Sequence, residues 1–200
     1  MTNLDELKKY KHIHMIGIGG TSMSGIATIL KKWGFYVTGS DANQSELVDK
    51  LIENNIPVII GHDLENIKRA NLVVYSAAIP EDDVEMLEAK RLGIQTMERS
   101  TFLGLITKAY KNTICVSGTH GKTTTTSMLS VCFLEAKKDP TIQVGAILKQ
   151  IGGNYRVGNS DCFILESCEY VESFLKFHPR TEVILNIDND HLDYFKDLDH

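Results

Sequence analysis

One pattern constrains this chain more than any other: short apolar runs ending in glycine or small polar residues alternate with stretches of helical spacing. "HIHMIGIGG" (12–20) reads as a strand running into a glycine turn, and "SMSGIATILKKWG" (22–34) as a helix that stops at Gly34. Strand patterns follow at 35–41, 56–61, 70–78 and 94–98, and helical patterns at 45–55, 80–93 and 100–110. The third helix has Pro80 near its start and acidic residues in its first turn, where the helix dipole favours them. Strands and helices in alternation build a mostly parallel sheet with helices on both faces. After a short connector at 111–113 the pattern restarts: a strand at 113–118, a helix at 122–138, and apolar strands at 161–167 and 182–188.

Composition narrows the classes. With 42% hydrophobic and 24% charged residues the chain has the make-up of a soluble globular protein. A formal net charge of -5 disfavours non-specific attraction to nucleic acid or anionic membrane. No apolar run approaches the roughly 20 residues of a membrane span. The first residues, "MTNLDELKKYKHIHMIGIGG", lack the form of a secretory signal. The four cysteines, Cys115, Cys132, Cys162 and Cys168, include no C-x-x-C pair, so reduced, mostly buried thiols in a cytoplasmic protein are expected.

"GIGGTSMSG" (17–25) joins the first strand to the first helix. Gly17 and Gly19 fit G-x-G, while Ser22 replaces the third glycine of the dinucleotide fingerprint. Glycines here allow a tight turn and close backbone approach to phosphate, and the helix N-terminus offers unpaired N–H groups. Ser22 and Ser24 add hydroxyls, and Asp41 ends the second strand, where such folds place an acid on ribose hydroxyls. "SAA" (76–78) puts small residues at the same sheet edge. Taken alone, this loop also fits an NAD-dependent oxidoreductase, or glycines that only pack a helix on a strand.

"SGTHGKTTTT" (117–126) also follows a strand and opens a helix, as a phosphate loop must. The usual early glycine is replaced by Val116, leaving a G-x-x-G-K-T frame. Backbone N–H groups from Gly118 to Thr123 can curl around phosphate oxygens, Lys122 can reach the terminal phosphates, and the Thr123 hydroxyl can ligate Mg²⁺. Two strands end in acids: Glu166 with Glu169 after one, and Asp188, Asp190, His191 and Asp193 after the other. If both run parallel to the strand feeding the loop, Thr123, Glu166 and His191 converge around Mg²⁺. The register of an EF-hand is absent, and there is no Cys/His quartet for zinc.

In order along the chain, "GIGGTSMSG", "GSD", "SAAIP", "SGTHGKTTTT", "GGN", "ESCEYVESFLKFHP" and "NIDNDHLDYF" resemble the Mur ligases of peptidoglycan synthesis, and "GIGGTSMSG" with "SAAIP" points to the branch that adds alanine. The resemblance implies a Rossmann-like parallel-sheet domain over 1–107 that binds a UDP-sugar. A linker at 108–112 would lead into the start of a P-loop α/β ATPase domain over 113–200. The rest of that domain and a C-terminal domain would lie outside a chain that is the front part of a longer protein and inactive by itself. It implies ATP-dependent ligation of L-alanine to the lactyl carboxylate of UDP-N-acetylmuramate through an acyl phosphate, in cell-wall synthesis in the cytoplasm.

Carried over residue by residue, Gly17, Gly19, Gly20, Thr21, Ser22, Met23, Ser24, Asp41, Ser76, Ala77, Ala78 and Asn154 would hold the nucleotide sugar. Gly118, Thr119, His120, Gly121, Lys122, Thr123 and Thr124 would hold ATP, and Thr123, Glu166 and His191 would hold Mg²⁺. Lys122, His120 and His191 would act at the reacting groups, while Cys168, where some relatives carry an acid, leaves the part of Glu169 open. A related ligase that attaches recycled peptide to the same sugar, and a UDP-sugar-binding module without catalysis, share these motifs.

Overall fold

The computed structural model describes residues 4–190, 192 and 194–197. The chain divides into two compact units, Asp5–Phe102 and Leu103–His200, and the division falls within one helix.

The first unit has strands β1 (His12–Ile16), β2 (Tyr36–Asp41), β3 (Val58–Ile60), β4 (Leu72–Tyr75) and β5 (Gln95–Glu98). They form a sheet in the order β3-β2-β1-β4-β5, and every pairing is parallel. The order reverses between β1 and β4, and ligands bind open α/β sheets in the crevice beyond such a reversal. Helices α1 (Thr21–Lys32), α2 (Glu46–Glu53) and α3 (Val84–Leu92) make the crossovers. Ser45 caps α2, accepting from Val48 N, and α2 buries Val48 and Leu51, three residues apart on one face. The third helix starts at Val84 rather than beside Pro80, because Asp83 caps it through Glu85 N and Met86 N.

The core of this unit contains a polar knot. His14 on β1 and Glu85 on α3 are fully buried, with His14 Nε2 3.4 Å from Glu85 Oε2. Ser40 Oγ donates to Glu85 Oε2 at 2.6 Å and Asn66 Nδ2 to Oε1 at 2.6 Å. Burial pushes the Glu85 carboxyl up, but the hydrogen bonds from His14, Ser40 and Asn66 outweigh it and hold the group below its ordinary range.

Helix α4 (Arg99–Ala109) carries the chain into the second unit. There β6 (Asn112–Ser117), β7 (Thr141–Leu148), β8 (Gly153–Arg156), β9 (Cys162–Glu166) and β10 (Thr181–Ile184) pair in the order β10-β6-β9-β7-β8. All pairings are parallel except β7 with β8. Helix α5 (Lys122–Glu135) packs on β7 and β9. The β7–β8 hairpin fills a stretch for which no strand is expected from sequence, and β10 ends at Ile184, short of the expected 188. Cys115 and Cys162 are buried while Cys132 and Cys168 are exposed, and all four are free thiols. No helix among the described residues is long and apolar enough to cross a membrane.

Candidate functional site

Each unit presents one glycine loop at the C-terminal edge of its sheet. In the first, Gly17 N and Ile18 N donate to Ser40 O at 2.8 and 3.0 Å, bending the chain from β1 toward β2. Gly17 has φ +76, a conformation side chains rarely adopt, and its Cβ would lie 3.3 Å from that of Ser76. The loops after β1 and β4 thus meet at the strand-order reversal, bringing Ser76 and Ile79 beside Gly17. Gly19 is required for packing: a Cβ there would come within 2.8 Å of both Asp41 Oδ2 and Val48 Cγ2.

Asp41 shapes the turn directly. Its Oδ2 accepts from Gly19 N at 2.8 Å and its Oδ1 from Asn43 N at 3.1 Å. A carboxylate has about four lone-pair sites, so capacity remains for a ribose hydroxyl. Helix α1 begins with Gly20 as N-cap, with no side-chain cap and no acid in its first turn. Its first N–H groups therefore point toward the crevice. Two sequence expectations change here. The Ser24 hydroxyl is buried and donates to Thr21 O at 3.0 Å, and Met23 is buried, so neither side chain reaches the loop surface. In a helix the third and fourth residues of this segment turn back onto the sheet, which leaves Thr21 and Ser22 facing outward.

The second loop begins where β6 ends. Strands β9 and β10 flank β6 and run parallel to it, so the three C-terminal ends converge as the acid-tipped strands require. Gly118 and Gly121 have φ +128 and +87, and a Cβ on Gly118 would press on the Asn186 backbone at 3.0 Å. Asn186 pins the loop, accepting from His120 N at 2.8 Å and donating to His120 O at 2.9 Å. Gly121 is the N-cap of α5, again without a side-chain cap or an acid in the first turn. Such an end holds an anion through backbone N–H groups and the helix dipole.

Lys122 is mostly buried. Its Nζ donates to Gly118 O at 2.6 Å, Thr119 O at 3.2 Å and the Glu169 carboxylate at 3.0 Å. Thr123 Oγ1 donates to Glu166 Oε1 at 2.9 Å, and Glu166 Oε2 accepts from Gly145 N at 2.7 Å. A hydroxyl and a carboxylate side by side are the hard oxygen donors that Mg²⁺ takes. Thr124 is exposed at the start of α5. His120 faces solvent, with its Nε2 3.6 Å from Asp188 Oδ2, a separation of little energetic weight between exposed groups. His191 lies outside the described residues. Asn154, on β8, is buried with no partner for its amide nitrogen among the described residues. Beside the loop a cleft of about 360 Å³ is lined by Gly118, Thr119, Glu169, Phe174, Ile187 and Asp188, a size suited to a small ligand.

Sequence reasoning missed Gly145 and Asn186 as site residues. Gly145 admits Glu166, whose Oε2 would lie 2.8 Å from any Cβ there, and it belongs to the unforeseen strand β7. Asn186 precedes the acids of "NIDNDHLD", and an amide that braces backbone has no charge pattern to mark it.

Comparison with known proteins adds an independent line. Residues 12–111 match the model "Mur ligase family, catalytic domain" and residues 116–200 match "Mur ligase middle domain". The chain is 56% identical over 192 residues to a UDP-N-acetylmuramate–L-alanine ligase of Acetivibrio thermocellus, covering 96% of this chain and 41% of that protein. Among solved structures it resembles the UDP-N-acetylmuramate–alanine ligase of Thermotoga maritima, with a TM-score of 0.84 and 32% identity over 92% of this chain and 43% of that one. It also resembles the UDP-N-acetylmuramate:L-alanyl-gamma-D-glutamyl-meso-diaminopimelate ligase of Neisseria meningitides, with a TM-score of 0.83 and 30% identity over 94% of this chain and 64% of that one. The chain spans about two fifths of the length of the alanine ligases it matches.

Proposed function

The chain belongs to the Mur ligase family, and from that premise we propose that it serves the ATP-dependent joining of L-alanine to the lactyl carboxylate of UDP-N-acetylmuramate, a cytoplasmic step of peptidoglycan synthesis. We divide it into a UDP-sugar domain (1–107), a linker (108–112) and part of an ATP-binding domain (113–200). The observation that carries the reading is the convergence of Lys122, Thr123 and Glu166 at the ends of β6 and β9.

A carboxylate does not acylate an amine directly, because oxide is a very poor leaving group. Phosphorylation of the sugar carboxylate to an acyl phosphate supplies a good one, and the alanine amine then displaces phosphate. The protein's contribution is positioning and charge neutralisation. Lys122 holds the β- and γ-phosphates and neutralises charge on the group in transit. N–H groups from Gly118 to Thr123 cradle the phosphate oxygens. Thr123 and Glu166 would hold one Mg²⁺ and His191 would help to hold a second metal near the substrate carboxylate; bound ions would supply neutralisation of phosphate charge. His120 and Asn154 are assigned to the sugar-linked part of the substrate, and Gly17–Ser22, Asp41 and Ser76–Ala78 to its UDP end.

The match to the Neisseria ligase supports a second reading, addition of a preformed peptide to the same sugar. The test is calorimetric titration of this chain with UDP-N-acetylmuramate and NADH, followed by phosphate release from the full-length enzyme offered L-alanine or peptide. Binding of the nucleotide sugar and alanine-dependent release are expected. NADH binding in place of the sugar would overturn the proposal, and release with peptide alone would select the second reading.

A further inference from the structure

The charges of the first unit are sorted by sheet edge. Every strand pairing there is parallel, so residues that precede strands and residues in the last turns of helices share one edge, opposite the glycine loop. Lys9 and Lys11 precede β1, Lys31 and Lys32 close α1, and Arg69 precedes β4. All five residues are exposed. Hydrogen bonds tie these segments together. Lys11 N and His12 N donate to Asn71 Oδ1 at 3.2 and 2.9 Å, and Lys31 Nζ donates to Asn55 O at 2.8 Å. Trp33, the chain's one tryptophan, and the exposed Tyr36 lie in the same stretch, and the Tyr36 ring lies 4.7 Å from that of His12. At the glycine-loop edge the balance is reversed: Asp41 and Glu98 end strands, and Asp63, Glu81, Asp82 and Asp83 follow β3 and β4.

Part of this sorting has a local cause, since helix dipoles favour cations at helix C-termini. That accounts for Lys31 and Lys32 but not for Lys9, Lys11 and Arg69, which lie in connections. Nor do the acids of the edge neutralise it. Asp5 and Glu65 are each paired with a further lysine, Lys8 and Lys68, and Glu6 and Glu53 are fewer than the five cations. The formal charge of -5 on the whole chain sets little against an anionic partner, because at physiological salt charges are screened beyond about 8 Å and a partner feels the edge it touches. The residue types say what kind of partner fits. All of these cations but Arg69 are lysines, compact charges on flexible stems that suit a diffuse layer of headgroups, whereas bidentate recognition of nucleic-acid phosphate or of carboxylates selects arginine. Tryptophan and tyrosine beside lysines are the side chains that settle at the polar boundary of a bilayer.

We propose that this edge docks on an anionic lipid bilayer, leaving the glycine loop at the opposite edge open to solution. The proposal does not depend on what the loop binds. The test is sedimentation of the chain with vesicles of phosphatidylcholine, alone or mixed with phosphatidylglycerol, with Trp33 fluorescence as a second readout. Binding to the mixed vesicles only, weakened by salt and accompanied by a blue shift of Trp33 emission, is expected. Lys31→Gln with Lys32→Gln, and Lys11→Gln with Arg69→Gln, are each expected to weaken it at least tenfold, since one cation near such a surface is worth about fivefold. Lys137→Gln with Lys138→Gln makes the same change in net charge at exposed positions just beyond α5, in the second unit, and is expected to leave binding close to that of the parent. No binding of the parent to mixed vesicles, equal binding without phosphatidylglycerol, an equal loss in the variant at Lys137 and Lys138, or binding without a Trp33 shift would overturn the proposal. Tighter binding to duplex DNA or to polyglutamate than to the vesicles at the same salt would overturn it as well, and would give the edge to a macromolecular polyanion.

Discussion

The two glycine loops share one backbone device and differ in what surrounds it. Each leaves an interior strand whose two neighbours run parallel to it, turns on glycine with positive φ, and opens a helix that has neither a side-chain cap nor an acid in its first turn. The first loop is braced by an acid: Asp41 holds Gly19 N, and Ser40 O holds Gly17 N and Ile18 N. The second is braced by an amide, Asn186, and carries its own cation. An acid brace in a loop that carries no cation of its own suits a group that is held and left intact. A lysine within the loop, with a hydroxyl and a carboxylate beside it, suits a phosphoryl group that moves. The backbone makes an anion site, and the side chains decide whether chemistry happens there.

The sharpest way to break this comparison is to remove the lysine. Lys122→Ala in the full-length enzyme is expected to lower ligation at least about 10²–10³-fold, the usual cost of losing one preorganised transition-state contact. Binding of UDP-N-acetylmuramate, measured by calorimetry, is expected to stay within a few-fold of the parent. Parental turnover would remove the phosphoryl-transfer role from the second loop and erase the contrast.

Next in size is Gly19→Val. Its Cβ would collide with Asp41 Oδ2 and Val48 Cγ2, so the first loop must open before any ligand arrives. Loss of nucleotide-sugar affinity by tenfold or more is expected, with melting of the second unit unaffected. Parental affinity would show that the sugar binds elsewhere.

A smaller effect separates the loops by pH. Ser40 ties the first loop to Glu85, whose carboxyl is held below its ordinary value of 4.5 once the hydrogen bonds from His14, Ser40 and Asn66 overcome the effect of burial. A depressed carboxyl contributes stability that is complete above its unfolded value and is lost as pH falls through its folded one. Amide exchange at Gly17 and Ile18 is therefore expected to speed up below about pH 4.5 in the parent. The acid step should disappear in Glu85→Gln. An acid step that survives that substitution would show that other carboxylates govern the loop.

How much of this was legible beforehand follows from what each segment packs against. Strands β1, β6 and β9 are almost wholly buried and carry short apolar stretches that end in glycine or an acid, so these strands and both loops followed from the sequence pattern. β7 was not legible, because Gly145–Ile147 in its second half are exposed and the chain leads into glycines that read as loop. Thr123 beside Glu166 followed from parallel strand ends. The support of Glu166 by Gly145 did not, because a backbone amide leaves no signature in a side-chain pattern. The inward turn of Ser24 was masked by its place in a glycine-rich motif, where helical phase rather than residue type decides exposure.

The smallest expected effect concerns the pair that most distinguishes the second loop. Lys122 and Glu169 lie 3.0 Å apart with little solvent access, so their attraction is screened less than that of a surface pair. To meet a phosphate the ammonium must exchange Glu169 and the Gly118 and Thr119 carbonyls for new oxygens. Glu169→Gln keeps the shape and removes the competing charge. Affinity for ATP without Mg²⁺ is expected to rise a few-fold, with the Thr123–Glu166 pair undisturbed. The Mg²⁺ arm sharpens the assignment: a loss of affinity confined to Mg²⁺-loaded nucleotide would place Glu169 among the metal's ligands. Weaker binding with and without Mg²⁺ would mean that Glu169 orients Lys122 rather than restrains it, and the resting pair would then be part of how the second loop is built.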